Sequence, residues 1–153
     1  MFPLRPRLDS VSIKVLLADD SEVMRAAIRR VLVEDDRIKI VGEASTFAQA
    51  IQVIGDCKPD VLLLDLHLPE QGDFTPAFVK SQLFYVPHTL AVSFSNDAEA
   101  KALADSYGAE TLLDKINLYA ELIPAIVQSC AKQTEPKLTE LLRKPFKRGI
   151  HAA

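Results

Sequence analysis

An α/β fold with a five-stranded parallel sheet, doubly wound with helices on both faces, is the architecture this sequence predicts, on three observations. Five short apolar runs alternate with longer segments of helical period. The runs are nearly continuous in Val, Leu and Ile, as expected of strands covered on both sides. The first, third, fourth and fifth carry polar side chains at or just past their ends, and a doubly wound sheet keeps its chemistry beyond the carboxyl ends of its strands.

The first run, Ile13 to Ala18, leads into Asp19 and Asp20. The helix after it is marked by Val23, Met24, Ala27, Ile28, Val31 and Leu32 on one face, with Ser21 or Asp20 placed to cap and Glu22 favourably in the first turn. A second run over Ile38 to Glu43 precedes a helix at 46–56. The third, Val61 to Asp65, precedes a helix at 74–84 in which Pro76 fits only the first turn. The fourth, Leu90 to Phe94, is followed by a helix at 96–107, and the fifth, Thr111 to Leu113, by one at 117–131. Pro124 within the last is expected to kink that helix or displace its start. Successive βα units demand right-handed crossovers.

The 153 residues hold one domain with a core of its own, and 48% apolar against 25% charged residues with five glycines exclude wholesale disorder, collagen-like repeats and disulfide scaffolds. No apolar run approaches the roughly 20 residues that span a bilayer. Prolines and arginines interrupt the first ten residues where a signal peptide needs an apolar stretch, so the expectation is a cytoplasmic protein without membrane contact. Cys57 and Cys130 have no CxxC partner and read as idle thiols. Residues 13–131 carry 10 basic and 18 acidic side chains and residues 132–153 six basic and two acidic, so the body is acidic and direct nucleic-acid binding is disfavoured.

Asp19 and Asp20 follow strand one, Asp65 ends strand three, Ser93 sits near the end of strand four, and Asp114 and Lys115 follow strand five. Three carboxylates in one crevice repel each other unless a cation intervenes, and an all-oxygen set without a histidine or thiolate cluster favours Mg²⁺ over zinc. An Asp beside such an ion can serve as a nucleophile. Metal, hydroxyl and lysine together neutralise the oxygens of a transferring phosphoryl group. His67, His88 and His151 form no ligand spacing and read as surface or loop residues.

Across residues 13–131 this constellation resembles the receiver domain of two-component response regulators. Val15-Leu16-Leu17-Ala18-Asp19-Asp20 looks like the acidic pair after strand one, and Val61 to Asp65 with Leu66-His67-Leu68-Pro69 like the phosphoacceptor strand. Ser93 matches the family's Ser/Thr, and Gly108 to Lys115 its lysine segment. The resemblance implies a flavodoxin-like (βα)5 sheet in strand order 2-1-3-4-5. It implies Asp65 as acceptor of a phosphoryl group from a sensor histidine kinase or phosphotransfer protein. Asp20, Asp65 and the backbone carbonyl of His67 would bind Mg²⁺ directly, Asp19 mainly through water, and Ser93 and Lys115 would grip the phosphoryl oxygens. Output would run through contacts with another protein, and a homodimer stays open.

Departures from the family's pattern bear on mechanism. Phe94 stands where receivers usually place a small residue, and is expected to slow both gain and loss of phosphate. Ser95 and His67 flank the same approach path and are expected to modulate it. Leu112 takes the place of the usual aromatic switch, and Ile116 that of a proline commonly in cis linkage, so the loop after Lys115 is expected to be remodelled. The glycine after Pro69, Gly72, comes one residue early. Two further readings compete: a degenerate receiver acting as a scaffold without phosphate, and a phosphatase of the haloacid dehalogenase type. Motif order opposes the second, since Asp65-Leu66-His67 lacks the second Asp that would act as acid and base. Outside the receiver, residues 1–12 read as a short basic leader. Residues 132–153 read as a basic tail with a short amphipathic stretch around Leu138, Leu141 and Leu142. No output domain of the helix-turn-helix kind fits in either piece.

Overall fold

A computed structural model describes residues 12–69 and 74–131. In chain order it contains β1 (Ile13–Ala18), α1 (Glu22–Leu32), β2 (Ile38–Ala44), α2 (Phe47–Cys57), β3 (Val61–Asp65), α3 (Pro76–Leu83), β4 (His88–Ser93), α4 (Ala98–Ser106), β5 (Thr111–Asp114) and α5 (Leu118–Ala131), with a single 3₁₀ turn over Lys115–Asn117 leading into α5. The strands are parallel and ordered β2-β1-β3-β4-β5. The chain leaves β1 toward one edge of the sheet and returns to the other side of β1 as β3. The crevice at that reversal opens above Asp19 and Asp65.

Alternate strand residues divide the core into two layers. Leu16, Ala18, Leu62, Leu64 and Ala91 pack with Phe47, Val79, Leu83, Ala100 and Tyr107 of α2, α3 and α4 and the turn after α4. Val15, Leu17, Val61, Leu63, Leu90 and Val92 pack with Ile28, Leu32, Leu118, Leu122 and Ile126 of α1 and α5. This two-sided burial is why β3 and the later parts of β1 and β4 are nearly continuous in apolar residues up to their ends. Ser21, Thr46, Thr75 and Asp97 each cap a helix by accepting the N–H three residues on. Because Ser21 caps α1, the carboxylate of Asp20 is left for other partners.

Several expectations need correction. The fourth strand runs His88–Ser93, not Leu90 to Phe94, because His88 already pairs with Val61 and donates its N–H to the Asp60 carbonyl, while Phe94 turns outward beyond the ladder. His88 is accordingly a strand residue, its Nδ1 2.7 Å from Glu110 Oε2. Pro124 does not displace the start of α5, which begins at Leu118. Ala120 and Pro124 both lie on the exposed side, so the carbonyl deprived of its helical partner faces solvent. No cis peptide bond occurs among the described residues, and Asp114 Oδ1 accepts the Ile116 N–H at 2.9 Å to open the 3₁₀ turn. The leader as far as residue 11, the turn containing Gly72, and the tail with Leu138, Leu141, Leu142 and His151 lie outside the described residues. No helix among the described residues is long and apolar enough to cross a membrane.

One close approach fixes β2 against α2. The register between β1 and β2 slips after Val15, so that Val15 faces Ile40 but Leu16 faces Gly42. A Cβ on Gly42 would stand 2.6 Å from Val53 Cγ1. Gly42→Ala should therefore destabilise the fold by about 1–3 kcal/mol, read by urea unfolding. Trimming the partner in Gly42→Ala/Val53→Ala should cost less than the two single changes added together. Strict additivity would contradict the contact.

Candidate functional site

The site is built from the four strand ends outward. Asp19 follows β1, and its N–H donates to the Ala44 carbonyl at 2.9 Å, tying it to the end of β2. Its side chain is buried; Oδ1 accepts the Ser21 N–H at 2.9 Å. Asp65 closes β3, equally buried, and its Oδ1 accepts the His67 N–H at 3.1 Å. Lys115 reaches between the two from the end of β5, with Nζ 2.9 Å from Asp19 Oδ2 and 3.3 Å from Asp65 Oδ1. The lysine side chain is only 7% exposed, so this ammonium has been taken out of water. Asp20 is exposed, and one oxygen from each of Asp19, Asp20 and Asp65 lies within 4.8 Å of the others.

Ser93, the last residue of β4, is buried and accepts the Ser95 N–H on its Oγ at 3.0 Å. Ser95 thus meets the site through its backbone. Phe94 is 65% exposed and presents its ring to the Lys115 ammonium, 5.1 Å from Nζ to the centroid. His67 is exposed two residues after Asp65, and Leu112 on β5 is partly buried against the α2–α4 layer. The structure therefore gathers Asp19, Asp20, Asp65, Ser93 and Lys115, with Phe94 on the lysine.

Charge decides what this arrangement can do. Burial pushes the Asp65 carboxyl above its ordinary range; the His67 N–H opposes this, the Asp19 charge adds to it and Lys115 opposes it. One ammonium contacts two of the three carboxylates and can offset the charge of only one. Among the described residues, Asp19 Oδ2 is buried and has no hydrogen-bond donor besides its 2.9 Å charge contact with Lys115 Nζ. A buried carboxylate oxygen without a donor, in an all-oxygen set, fits a small hard cation.

Two contributors were not read from the sequence. Arg25 of α1 donates through Nη1 to the Asp19 carbonyl at 2.6 Å and through Nε to Glu43 Oε1 at 2.8 Å. Arg29 also meets Glu43, at 2.7 and 2.8 Å, and Glu22 pairs with both arginines. This cluster clamps the backbone that carries the acidic pair. The i, i+4 spacing of Arg25 and Arg29 was visible, but their partner on β2 depends on tertiary packing.

Comparison with known proteins finds receiver domains. The family model described as the response regulator receiver domain matches residues 15–127. Among curated proteins, the chain is similar to a protein-glutamate methylesterase/protein-glutamine glutaminase of Pyrococcus horikoshii, 31% identical over 67% of this chain and 28% of that protein. It is also similar to the response regulator protein VraR of Staphylococcus epidermidis, 27% identical over 90% of this chain and 67% of that protein. The match spans under a third of the methylesterase's length. Among solved structures, the signal receiver domain of NarL from Mycobacterium tuberculosis superposes with a TM-score of 0.68 at 28% identity, covering 79% of this chain and 97% of that one. The response regulator domain of Thermotoga maritima CheB gives 0.67 at 24%, covering 78% and 97%.

The raised Asp65 pKa has a consequence for stability. A carboxyl whose pKa rises on folding favours the folded state while protonated, below the ordinary aspartate value, and that advantage is lost as the pH rises through the folded value. In chelator, Asp65→Asn should therefore be more stable than wild type at neutral pH. The gain should shrink as the pH falls toward about 4. Denaturant unfolding at a series of pH values measures it, and an Asn variant weaker than wild type at pH 7 would contradict the charge balance.

Proposed function

Because this chain belongs to the response regulator receiver family, we propose that it is a phosphoacceptor signalling module in which Asp65 takes a phosphoryl group from a sensor histidine kinase or phosphotransfer protein. The observation that carries this reading is the Lys115 ammonium held 2.9 and 3.3 Å from two buried carboxylates beside a third. An ordinary surface lysine gains nothing from such burial. A lysine that must meet a dianionic phosphoryl group on Asp65 does.

Among the described residues, both contacts to Asp65 fall on Oδ1, so the lone pairs of Oδ2 are those left to attack phosphorus. The P–N bond to the donor imidazole breaks as the P–O bond to Asp65 forms, and the pair of electrons leaves with the imidazole, which is neutralised by its proton. Asp20, Asp65 and the His67 carbonyl would hold Mg²⁺, with Asp19 acting mainly through water. When bound, the ion supplies positive charge to the phosphoryl oxygens and relieves the carboxylate repulsion. Ser93 Oγ and Lys115 Nζ take the remaining oxygens. Leu112 offers no ring to swing, so phosphorylation shifts Ser93 and the loop through Ser95, and output runs through a protein partner that reads the surface near the site. The chain performs its own phosphorylation and dephosphorylation and no other catalysis.

Intact mass after incubation with a small phosphodonor tests this. Wild type with Mg²⁺ should gain one phosphoryl group; Asp65→Asn and Asp20→Ala should gain none, and chelator should abolish the gain. Absence of uptake in wild type with small donors and a panel of kinases, or uptake in Asp65→Asn, would overturn the assignment. Lys115→Ala should retain Mg²⁺ binding while losing the structural response to phosphorylation, measured by amide chemical shifts. Loss of Mg²⁺ affinity equal to that of Asp20→Ala would contradict the role given to the lysine.

A further inference from the structure

The environment of Lys115 is asymmetric in a way the carboxylates do not explain. Two of its sides meet Asp19 Oδ2 and Asp65 Oδ1. The remaining approach is faced by the Phe94 ring, with Nζ 5.1 Å from the centroid. Phe94 leaves β4 directly after Ser93, whose Oγ is pinned by the Ser95 N–H at 3.0 Å. The ring is nevertheless 65% exposed. An aromatic side chain with this much freedom gains little from packing. What it does gain is its negative face against an ammonium that has given up its water.

We infer that Phe94 is a positioning residue for Lys115: the π face of its ring holds the ammonium in place over Asp19 and Asp65, so that the lysine meets the incoming phosphoryl group already desolvated and aimed. This rests on the phosphoacceptor reading and adds to it a role that depends on aromatic character, distinct from bulk. A leucine at 94 fills much of the same space yet has no quadrupole, whereas tyrosine keeps one. Bulk still acts on donors and water approaching Asp65, and the contrast between Leu and Ala at this position isolates it. The ring also links the site to the surface: a change in where Lys115 points is felt by a side chain that a partner can touch.

The test separates position from reaction. The ¹H–¹⁵N signals of the Lys115 ammonium are recorded on the full chain in chelator, and phosphoryl uptake is then timed with acetyl phosphate and Mg²⁺. Protons over an aromatic face are shifted upfield by the ring current, so wild type and Phe94→Tyr should share that shift and Phe94→Leu should lose it. Uptake should fall about fivefold in Phe94→Leu and stay within about twofold of wild type in Phe94→Tyr, as expected for one cation–π contact. Phe94→Ala should react faster than Phe94→Leu. An ammonium signal unchanged in Phe94→Leu overturns the inference, as does wild-type uptake by the leucine variant. No uptake by wild type overturns the phosphoacceptor reading itself, and with it the role given to the ring.

Discussion

A single buried ammonium shared by two buried carboxylates, with a third carboxylate alongside, is the constraint on which the rest of this protein turns. Unit charges about 4 Å apart interact by roughly 4 kcal/mol at the effective dielectric of a protein surface, so one lysine cannot settle three aspartates. The imbalance is tolerable because β1, β3 and β5 end beside one another, beyond the apolar layers that cover the strands. In the proposed phosphoacceptor role it is useful, because a cation, and then a phosphoryl group, would be accommodated where the charges are left over.

Holding such a site requires a stiff frame. The two apolar layers fix the strands, and the close approach of Gly42 to Val53 seats α2 on β2. Arg25 adds a local clamp, binding the Asp19 carbonyl while its other nitrogen is held by Glu43. Ser21 caps α1 and donates its own N–H to Asp19 Oδ1, so the helix start and the acidic pair share one set of backbone hydrogen bonds. Each of these residues limits how far the carboxylates can relax apart.

Sheet and site were legible to different degrees. Continuous apolar runs such as Val61 to Leu64 are unmistakable because both faces are buried, and the polar residues that end them mark the crevice. Strand limits were less secure at β4, where His88 and Thr89 enter the ladder through pairing with β3 despite their polarity. The order of the sheet came from resemblance to the receiver family and not from periodicity. Asp19, Asp20, Asp65, Ser93 and Lys115 could be picked out because a strand end is a fixed address. The Arg25–Glu43 pair and the direction of the Phe94 ring could not, since both depend on where α1 and the loop after β4 come to rest. Their charges and aromatic character were visible, but not their partners.

The charge imbalance at the strand ends is tested most directly by thermal unfolding across a Mg²⁺ titration, comparing wild type with Asp20→Ala. A ligand that binds only the folded state stabilises it by about 2.7 kcal/mol at a concentration 100 times its dissociation constant. The expected result is a Tm that climbs with Mg²⁺ in wild type and stays nearly level in Asp20→Ala. A wild-type Tm indifferent to Mg²⁺, or an equal climb in both proteins, would contradict a site whose carboxylates await a cation.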